Sequence, residues 1–321
     1  MSCSFDESQL PMAERWRGLG LDTSAVTQPL DSIASVLEGT GEYRVLRRVR
    51  PFVECADPPN EPTFIGLILD TETTGIDHAR DEVIELGIIK FEYGASGRVY
   101  RVLETLNQLH QPSKPIPPEV TCLTGITDAD VAGQRIDDAA VRAMAADAAV
   151  VIAHNASFDR QMCESRWPIF AEKNWACSCH LVPWRDEGHE GMKLGYLLTD
   201  YGLFHNGHRA IDDCHALMAL LAAPLRASGR LALSCLLETA RKPTVRIWAT
   251  GSPIATKDVL KARSYRWSGR RRCWYIDVEE ERFEIERTFL SQEIFQREVQ
   301  DLPSDRITAR DRFSIRTSPE A

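Results

Sequence analysis

The sequence lacks any apolar run long enough to cross a lipid bilayer, which argues against a membrane protein. It also lacks a charged-then-apolar leader in MSCSFDESQLPMAERWRGLG, so export is not expected and the cytoplasm is the predicted location. Its nine cysteines show no regular close spacing, which argues against a disulfide framework and favours reduced thiols. Internal repeats and low-complexity tracts are absent. What remains is an ordinary globular composition over 321 residues, enough for one large or two modest domains.

The chain lacks an overall positive charge, since 47 acids outnumber 38 Lys and Arg for a net charge of −9, and this balance alone argues against a nucleic-acid partner. The distribution is uneven, however. Residues 241–276 hold ten Lys or Arg and one acid, which leaves a net charge of −18 for the rest of the chain. The chain therefore consists of two electrostatically distinct parts, and the basic part is a candidate for binding a polyanion.

The order of the predicted elements indicates a mixed α/β fold. Three strands joined by short turns predict an antiparallel meander, and helices alternate with a further strand after it. The apolar run FIGLILD is typical of a strand buried on both faces. In order, the predicted elements are strands at 64–70, 82–93 and 97–108, a helix at 138–147, a strand at 149–155, and helices at 157–167, 192–201 and 209–223.

Shifts in composition divide the chain into four predicted segments. A Pro-rich turn, ADPPNEP at 56–62, separates the first two. The segments are an N-terminal extension at 1–60, partly disordered with a short helix near 31–37 and a strand at 43–49; an α/β domain at 61–228; a small basic, aromatic module at 240–300; and a disordered tail at 301–321.

Two acids follow a predicted buried strand in LDTETTG, residues 69–75. Asp70 and Glu72 are two residues apart, so strand alternation projects both carboxylates to the same side. Two such carboxylates cannot both stay ionised cheaply without a compensating charge. The alternative is a strand end that enters solvent, where neighbouring acids are harmless.

Two later stretches add more acids. HNASFD (154–159) places Asp159 in the first turn of a predicted helix, where acids are also common for dipole reasons alone. HRAIDDC (208–214) places His208 ahead of two adjacent acids. Together these groups match the oxygen ligands that hard divalent cations prefer. Two such ions balance four carboxylates, and with a histidine base the set suits phosphodiester hydrolysis.

LDTETTG, HNASFD and HRAIDD resemble the three motifs of the DEDDh 3′–5′ exonucleases, in the branch of the DNA polymerase III epsilon subunit (DnaQ-like). LTGIT, WACSC and GHRAIDDC add to this resemblance, which covers residues 64–224. It implies a ribonuclease-H-like fold and two Mg²⁺ or Mn²⁺ ions. The residues it implies are the metal ligands Asp70, Glu72, Asp159 and Asp213, the general base His208, and a pocket for the 3′ end lined by Thr73, Thr74, Gly75, Gly125, His154 and Asn155.

Subclass and helix geometry follow from the last motif. The related tyrosine subclass has Tyr four residues before its final Asp, and this chain has Arg209 there, which indicates the histidine subclass. If a helix began at His208, Asp212 would share its face, whereas the resemblance selects Asp213. Both statements hold if His208 lies in the loop before the helix, so we predict that position. Asp212 is then a solvated acid or one that supports the ligands.

The resemblance implies release of nucleoside 5′-monophosphates from nucleic-acid 3′ ends. We expect DNA with a single-stranded 3′ end as the substrate, in proofreading or repair, and a polymerase or repair complex as partner. Two alternatives stay open at this point. One is a non-catalytic adaptor that binds 3′ ends, and the other is an exoribonuclease that processes RNA.

The basic segment at 246–278 interleaves Arg and Lys with aromatic residues. We predict a strand, a helix at 257–263, and a hairpin through SGRRR, followed by an amphipathic helix at 281–299. Single-stranded nucleic acid is one ligand for such a surface; a small sheet with one wet face would show the same pattern. The candidate contacts are Arg263, Arg266, Trp267, Arg270, Arg271 and Trp274.

Other suggestive residues receive no functional role. Cys177, Cys179 and His180 are spaced too tightly for a usual zinc site, and buried thiols explain the cysteines better. His189 and His205 lie in polar loops. The tryptophans Trp167, Trp175 and Trp184 are expected to be packing residues.

Overall fold

The computed structural model describes residues 28–55 and 60–320, in which the chain forms two units. The first unit extends to Leu237 and the second begins at Glu238. The disorder predicted near the N-terminus and the first four residues of the turn predicted at 56–62 lie outside the described residues. Within the described ranges, no helix is both long and apolar enough to cross a bilayer.

The segment before the sheet is held against the first unit. Helix α1 covers Gln28–Gly39, longer than the helix predicted near 31–37. Strand β1 is confined to Arg47–Arg48, so most of the strand predicted at 43–49 is wrong. It pairs in parallel with Leu203–Phe204, and Phe52 just beyond it is buried. Residues predicted to form an extension therefore contribute to the packing of this unit.

A five-stranded mixed sheet forms the centre of the first unit. Its spatial order is β4-β3-β2-β5-β6, with β4, β3 and β2 antiparallel and β5 and β6 parallel to β2. This is the order of a ribonuclease-H-like sheet, so the predicted α/β class and the meander are confirmed. The strands are β2 (Thr63–Thr73), β3 (Val83–Gly94), β4 (Val99–Leu109), β5 (Val150–Ala153) and β6 (Trp175–Cys177).

Helices surround the sheet, and the centre of the sheet is apolar on both faces. Seven consecutive residues of β3, from Val83 to Ile89, are buried, as a strand covered on both sides requires. Trp167, Trp175 and Trp184 are almost wholly buried, which confirms that they are packing residues. The remaining elements are α2 (Pro118–Thr124), α3 (Asp128–Val131), α4 (Asp138–Ala146), α5 (Ala156–Arg166), α6 (Ser178–Leu181), α7 (Leu194–Asp200), β7 (Leu203–Phe204), α8 (Ala210–Ala222) and α9 (Ala232–Arg241).

Helix α8 approaches the sheet unusually closely at its first turn. A Cβ atom added to Gly87 of β3 would lie 2.5 Å from the backbone carbon of Ala210. The apolar face of α8, including Leu217 and Leu221, is buried, as its spacing predicts. Gly87 therefore sets how near the start of α8 lies to the sheet.

The second unit is a small four-stranded antiparallel sheet with helices. Its order is β11-β8-β10-β9, and the hairpin through SGRRR joins β9 and β10 as predicted. The helix predicted at 281–299 is an α-helix as far as Phe289 and continues as a π-helix at Leu290–Ile294, so the prediction is wrong beyond Ile294. Its elements are β8 (Thr244–Ala249), α10 (Lys257–Ala262), β9 (Arg266–Ser268), β10 (Cys273–Glu279), α11 (Phe283–Phe289) and β11 (Ser304–Ile307).

The tail predicted to be disordered at 301–321 is ordered as far as residue 320. Strand β11 pairs along β8, and the side chain of Trp248 donates a 2.7 Å hydrogen bond from Nε1 to Asp305. Further on, Glu320 accepts a 3.0 Å hydrogen bond from the backbone of Gly269 in the β9–β10 hairpin. The prediction was wrong because the polar strand SDRI has no apolar pattern and is fixed by backbone pairing instead.

Candidate active site

Three carboxylates from two elements converge on one face of the sheet. Strand β2 places Asp70 opposite Gly87 of β3 and Glu72 opposite Glu85, so the two acids share a face. Asp213 comes from the first turn of α8, which lies against that part of β3. One oxygen atom from each of Asp70, Glu72 and Asp213 lies within 4.8 Å of the other two.

A fourth carboxylate, Asp159, reaches the same region from the first turn of α5. Its Oδ1 atom accepts a hydrogen bond from the Thr71 backbone nitrogen at 3.0 Å and another from Thr71 Oγ1 at 2.9 Å. Thr71 lies between the two acids of β2 and projects to the other side, so it ties Asp159 to the strand. Asp159 is 2% exposed, and its charge acts on Asp70.

Burial dominates the electrostatics of these acids. It raises the pKa of Asp70 well above its ordinary value and the pKa of Glu72 to about 8, and the neighbouring carboxylates push both further in the same direction. The pKa of Asp159 rises to about 7, mainly through burial and against the effect of its bonds from Thr71. Arg209 lowers the pKa of Glu72 but is the smallest of these influences on it. The crowded negative charge thus fits a divalent cation, whose preferred ligands are such oxygens.

Asp213 and Asp212 differ in their surroundings, although they are adjacent. Asp213 accepts a hydrogen bond from the Arg209 backbone nitrogen at 3.2 Å, and His205 Nε2 lies 2.9 Å from its other oxygen. Asp212 is outside the group of converging carboxylates. The contact of His205 escaped the sequence analysis, and only its closeness to His208 in HNGH offered a hint.

An ion pair between buried Glu85 and half-exposed Arg209 fixes the start of α8. Glu85 is wholly buried in β3 and accepts hydrogen bonds from the Arg209 guanidinium, the shortest being 2.9 Å. It also accepts a 3.0 Å hydrogen bond from the backbone nitrogen of Ala210, the first residue of α8. A buried charge needs such partners. Its signal in the sequence is an acid inside the apolar run VIELGII, which the sequence analysis did not use.

His208 lies in the loop between β7 and α8, outside any regular helix, which confirms its predicted position. Its side chain is exposed and its backbone has a φ of 64°, in the left-handed region. Histidine adopts this region only at a cost, and such local strain is frequent at functional sites.

The six residues predicted to line the pocket for the 3′ end have different environments. Thr74 Oγ1 accepts a 3.0 Å hydrogen bond from Glu82 N, in the turn that follows Glu72. His154 Nδ1 bonds Ser178 Oγ and Nε2 bonds the carbonyl oxygen of Met192, each at 2.8 Å. Neither ring nitrogen of His154 is available to a ligand while these bonds hold. The other four are Thr73, which ends β2; Gly75, in the following turn; Gly125, which caps α2 with a φ of 72°; and exposed Asn155, which precedes α5.

Residues 67–221 match the model of a protein family described as Exonuclease (RNase_T). A putative bifunctional exonuclease/endonuclease protein of Mycobacterium tuberculosis is 32% identical over 53% of this chain and 27% of its own length. Exodeoxyribonuclease 10 of Escherichia coli is 29% identical over 50% of this chain and 69% of its own length. The DNA polymerase III subunit epsilon of Treponema pallidum is 25% identical over 55% of this chain and 83% of its own length. This chain therefore spans about a quarter of the first of these relatives.

Proposed function

We propose that this chain hydrolyses phosphodiester bonds at the 3′ ends of nucleic acids and releases nucleoside 5′-monophosphates, a proposal supported by the match of residues 67–221 to the exonuclease family model. The observation that carries the proposal is the convergence of Asp70, Glu72 and Asp213 within 4.8 Å. DNA is the favoured substrate, since one relative is named an exodeoxyribonuclease and another a DNA polymerase subunit. A polymerase or repair complex as partner and the cytoplasm as location belong to the same proposal.

The four acids Asp70, Glu72, Asp159 and Asp213 are the proposed ligands of two Mg²⁺ or Mn²⁺ ions. When bound, such ions lower the pKa of an attacking water and stabilise the leaving oxygen. The protein contributes buried oxygens whose mutual repulsion is relieved by the cations, which is consistent with the raised pKa values of Asp70, Glu72 and Asp159.

His208 is the proposed general base. Its exposure leaves the imidazole open to a water molecule, and histidine is the residue type best suited to proton transfer near neutral pH. The rigid attachment of α8 through Glu85 places Asp213, while the loop that holds His208 stays outside the helix. Thr73, Thr74 and Gly75 directly follow Glu72, so they are the proposed contacts for the terminal nucleotide.

The test uses the purified chain with Mg²⁺ or Mn²⁺ and oligonucleotides labelled at one end. A 5′ label should yield a ladder of shortening products, whereas a 3′ label should be released first as a mononucleotide. EDTA or the substitution Asp70→Asn should stop both. Release of the 5′ label first would contradict the proposed polarity, and undiminished activity of Asp70→Asn would contradict the proposed site.

Substrate preference is tested by the same assay on three substrates. Single-stranded DNA, duplex DNA with a mismatched 3′ end, and RNA of the same sequence are compared at equal concentration. We expect faster hydrolysis of the DNA substrates. Faster hydrolysis of RNA would replace the DNA proposal by an exoribonuclease, because the chemistry at phosphorus is the same and only the 2′-hydroxyl differs.

A further inference from the structure

The six basic and aromatic residues predicted to contact nucleic acid separate into two groups. Three of the arginines are bonded to acids of the same unit. Arg263 pairs with buried Glu286 at 2.9 Å and Arg266 with Asp277 at 3.2 Å. Arg271 Nη2 lies 3.7 Å from Asp305. These charges are compensated within the protein, so much of the basic segment serves the fold.

The face of the sheet that carries Trp248 and Tyr275 is also occupied. These rings are 2% and 5% exposed, and Arg246 lies over both of them while it pairs with Asp277 at 2.6 Å. The C-terminal residues extend across this side of the sheet, where the Arg246 guanidinium donates to the carbonyl oxygen of Thr317. This aromatic face is therefore covered by the protein's own chain.

The opposite face of this sheet carries two other tryptophans, at its β9 edge. Trp274 of β10 pairs with Trp267 of β9, and their rings meet edge to face with centroids 5.6 Å apart. Trp267 is 51% exposed, although it is a large aromatic residue. Lys261 of α10 lies over Trp274, with Nζ 5.9 Å from the ring centroid. Trp267 therefore presents an aromatic ring face to solvent beside a second tryptophan.

Positive charge is exposed on α10 and on the hairpin that carries these rings. Arg270 is exposed in the hairpin between β9 and β10, and Lys261 is exposed on α10. In the described ranges, neither side chain forms an ion pair. Glu320 reaches the hairpin but accepts from the backbone nitrogens of Gly269 and Arg270. We call Trp267, Trp274, Lys261 and Arg270 the tryptophan patch.

We propose that the tryptophan patch binds single-stranded nucleic acid, with an unpaired base stacked on Trp267 and phosphates contacted by Lys261 and Arg270. Stacking requires a base whose ring face is free, which a duplex does not offer away from its ends. The combination of a half-exposed ring and unpaired cations matches the two parts of a nucleotide. The choice of nucleic acid over another polyanion rests on the proposed function of the first unit.

Binding is measured with the complete chain carrying Asp70→Asn, in EDTA, so that the oligonucleotide is not degraded. The probe is fluorescently labelled oligothymidine, and its anisotropy gives the Kd. We expect Trp267→Ala to raise the Kd about tenfold to a hundredfold through loss of stacking. Trp267→Phe should recover part of this loss, because it restores an aromatic face.

Arg270 and Arg271 provide a matched pair of adjacent arginines. Arg270→Ala should weaken binding and lower the slope of log Kd against log salt by about one, because one phosphate contact is lost. Arg271→Ala should leave the Kd within about twofold, since that side chain lies over Trp248 on the covered face. Equal effects of the two substitutions, or no effect of Trp267→Ala, would overturn the proposal.

Two further measurements distinguish binding at the tryptophan patch from hydrolysis at the carboxylates and from binding to lipid. Hydrolysis of the p-nitrophenyl ester of thymidine 5′-monophosphate, which has a single nucleotide, should be the same in Trp267→Ala and in the otherwise wild-type chain. Intact hydrolysis without oligothymidine binding would refute the patch and leave the exonuclease proposal standing, while binding without hydrolysis would do the reverse. Binding to anionic phospholipid vesicles with no binding to oligothymidine would identify the patch as a membrane contact and overturn the proposal.

Discussion

At the scale of single residues, Asp212 and Asp213 show how position on a helix divides two identical side chains. Only Asp213 belongs to the converging carboxylates, and it is held from two sides by His205 and the Arg209 backbone. We expect Asp213→Asn to lower kcat by about a hundredfold or more, because a ligand charge is lost. Asp212→Asn should change kcat by less than about threefold.

Both variants are assayed with saturating Mn²⁺ on the same labelled oligonucleotide. Thermal melting is the control for folding, and neither amide should prevent it, since the substitution keeps the side-chain volume. A larger loss in Asp212→Asn than in Asp213→Asn would mean that the helix presents the other acid to the cations.

Glu72 provides a test based on pH and metal removal. Its pKa in the folded protein is about 8, above the ordinary range near 4, so ionisation of Glu72 costs the folded state stability as the pH rises between these values. In EDTA, Glu72→Gln should therefore melt at a higher temperature than wild type, and the difference should grow from pH 5 to pH 8. Added Mn²⁺ should stabilise wild type more than the variant.

The matched control is Glu190→Gln, which removes an exposed acid outside the cluster. Its difference from wild type should stay small at every pH and should not depend on Mn²⁺. A difference for Glu72→Gln that shrinks as the pH rises would contradict the environment described for this carboxylate.

Sequence motifs indicated which acids converge, but not how they are held. Asp70, Glu72 and Asp213 were predictable because strand alternation and a three-part motif constrain them. The support from His205 and Glu85 was not, since the loop conformation that brings His205 to Asp213 and the fold that brings Arg209 to distant Glu85 have no motif in the sequence. Nothing in the sequence indicated that both ring nitrogens of His154 are hydrogen-bonded inside the protein.

At the scale of elements, the contact between β3 and α8 determines where Asp213 lies. A methyl group on Gly87 would meet the backbone of Ala210 at 2.5 Å, and a backbone cannot move aside as a flexible side chain can. We expect Gly87→Ala to reduce the free energy of unfolding by about 1–3 kcal/mol and to lower kcat, because α8 must shift. Denaturant unfolding and the exonuclease assay measure the two effects.

Gly195 is the matched control for this substitution. It lies in α7, and an added Cβ would meet no heavy atom within 4 Å. Gly195→Ala should leave kcat unchanged and raise the free energy of unfolding by up to about 1 kcal/mol, since alanine favours a helix. Equal loss of activity in both variants would show that the close approach at Gly87 is not the cause.

The elements that the sequence predicted well are those with an apolar period. The strands of the meander and helix α8 have buried faces that fix their patterns. Strands β1 and β11 have no such pattern, because each is short and is held by backbone pairing to a distant partner. The π-helix after α11 likewise has no recognisable pattern in the sequence of the residues that form it.

At the scale of the whole molecule, the C-terminal residues are part of the second unit. Ending the chain after Leu302 would remove β11 and its pairing along β8, and would expose Trp248 by removing Asp305 and the residues beyond it. We expect such a truncation to lower the melting temperature of the second unit and to shift tryptophan emission to longer wavelength. In limited proteolysis, the first cleavage should then fall within the second unit, beyond residue 237.

The point variant Glu320→Ala is the milder comparison, because it removes only the bonds to the β9–β10 hairpin. Its melting temperature should lie near that of wild type. If the truncated chain resists protease as well as the complete chain does, then β11 contributes little to the unit.

The uneven distribution of charge along the chain was visible in the sequence, but the pairing of the basic residues with acids was not. A count of ten basic residues against one acid treats them as equivalent. In the folded unit, several of these arginines are paired with Asp277 or Glu286, two acids that lie just beyond the counted interval. Net charge therefore overstates the basic surface, since pairing depends on tertiary structure.

The hydrogen bonds from Thr71 to Asp159 also limit how many oxygens Asp159 could offer to a cation. A carboxylate oxygen has two lone pairs, and Oδ1 of Asp159 uses both to accept from Thr71 N and Thr71 Oγ1. If Asp159 is a cation ligand, as proposed, it would bind the ion through Oδ2 alone for as long as Thr71 holds Oδ1. The other oxygens around such an ion would then have to come from the other carboxylates, from water or from the substrate.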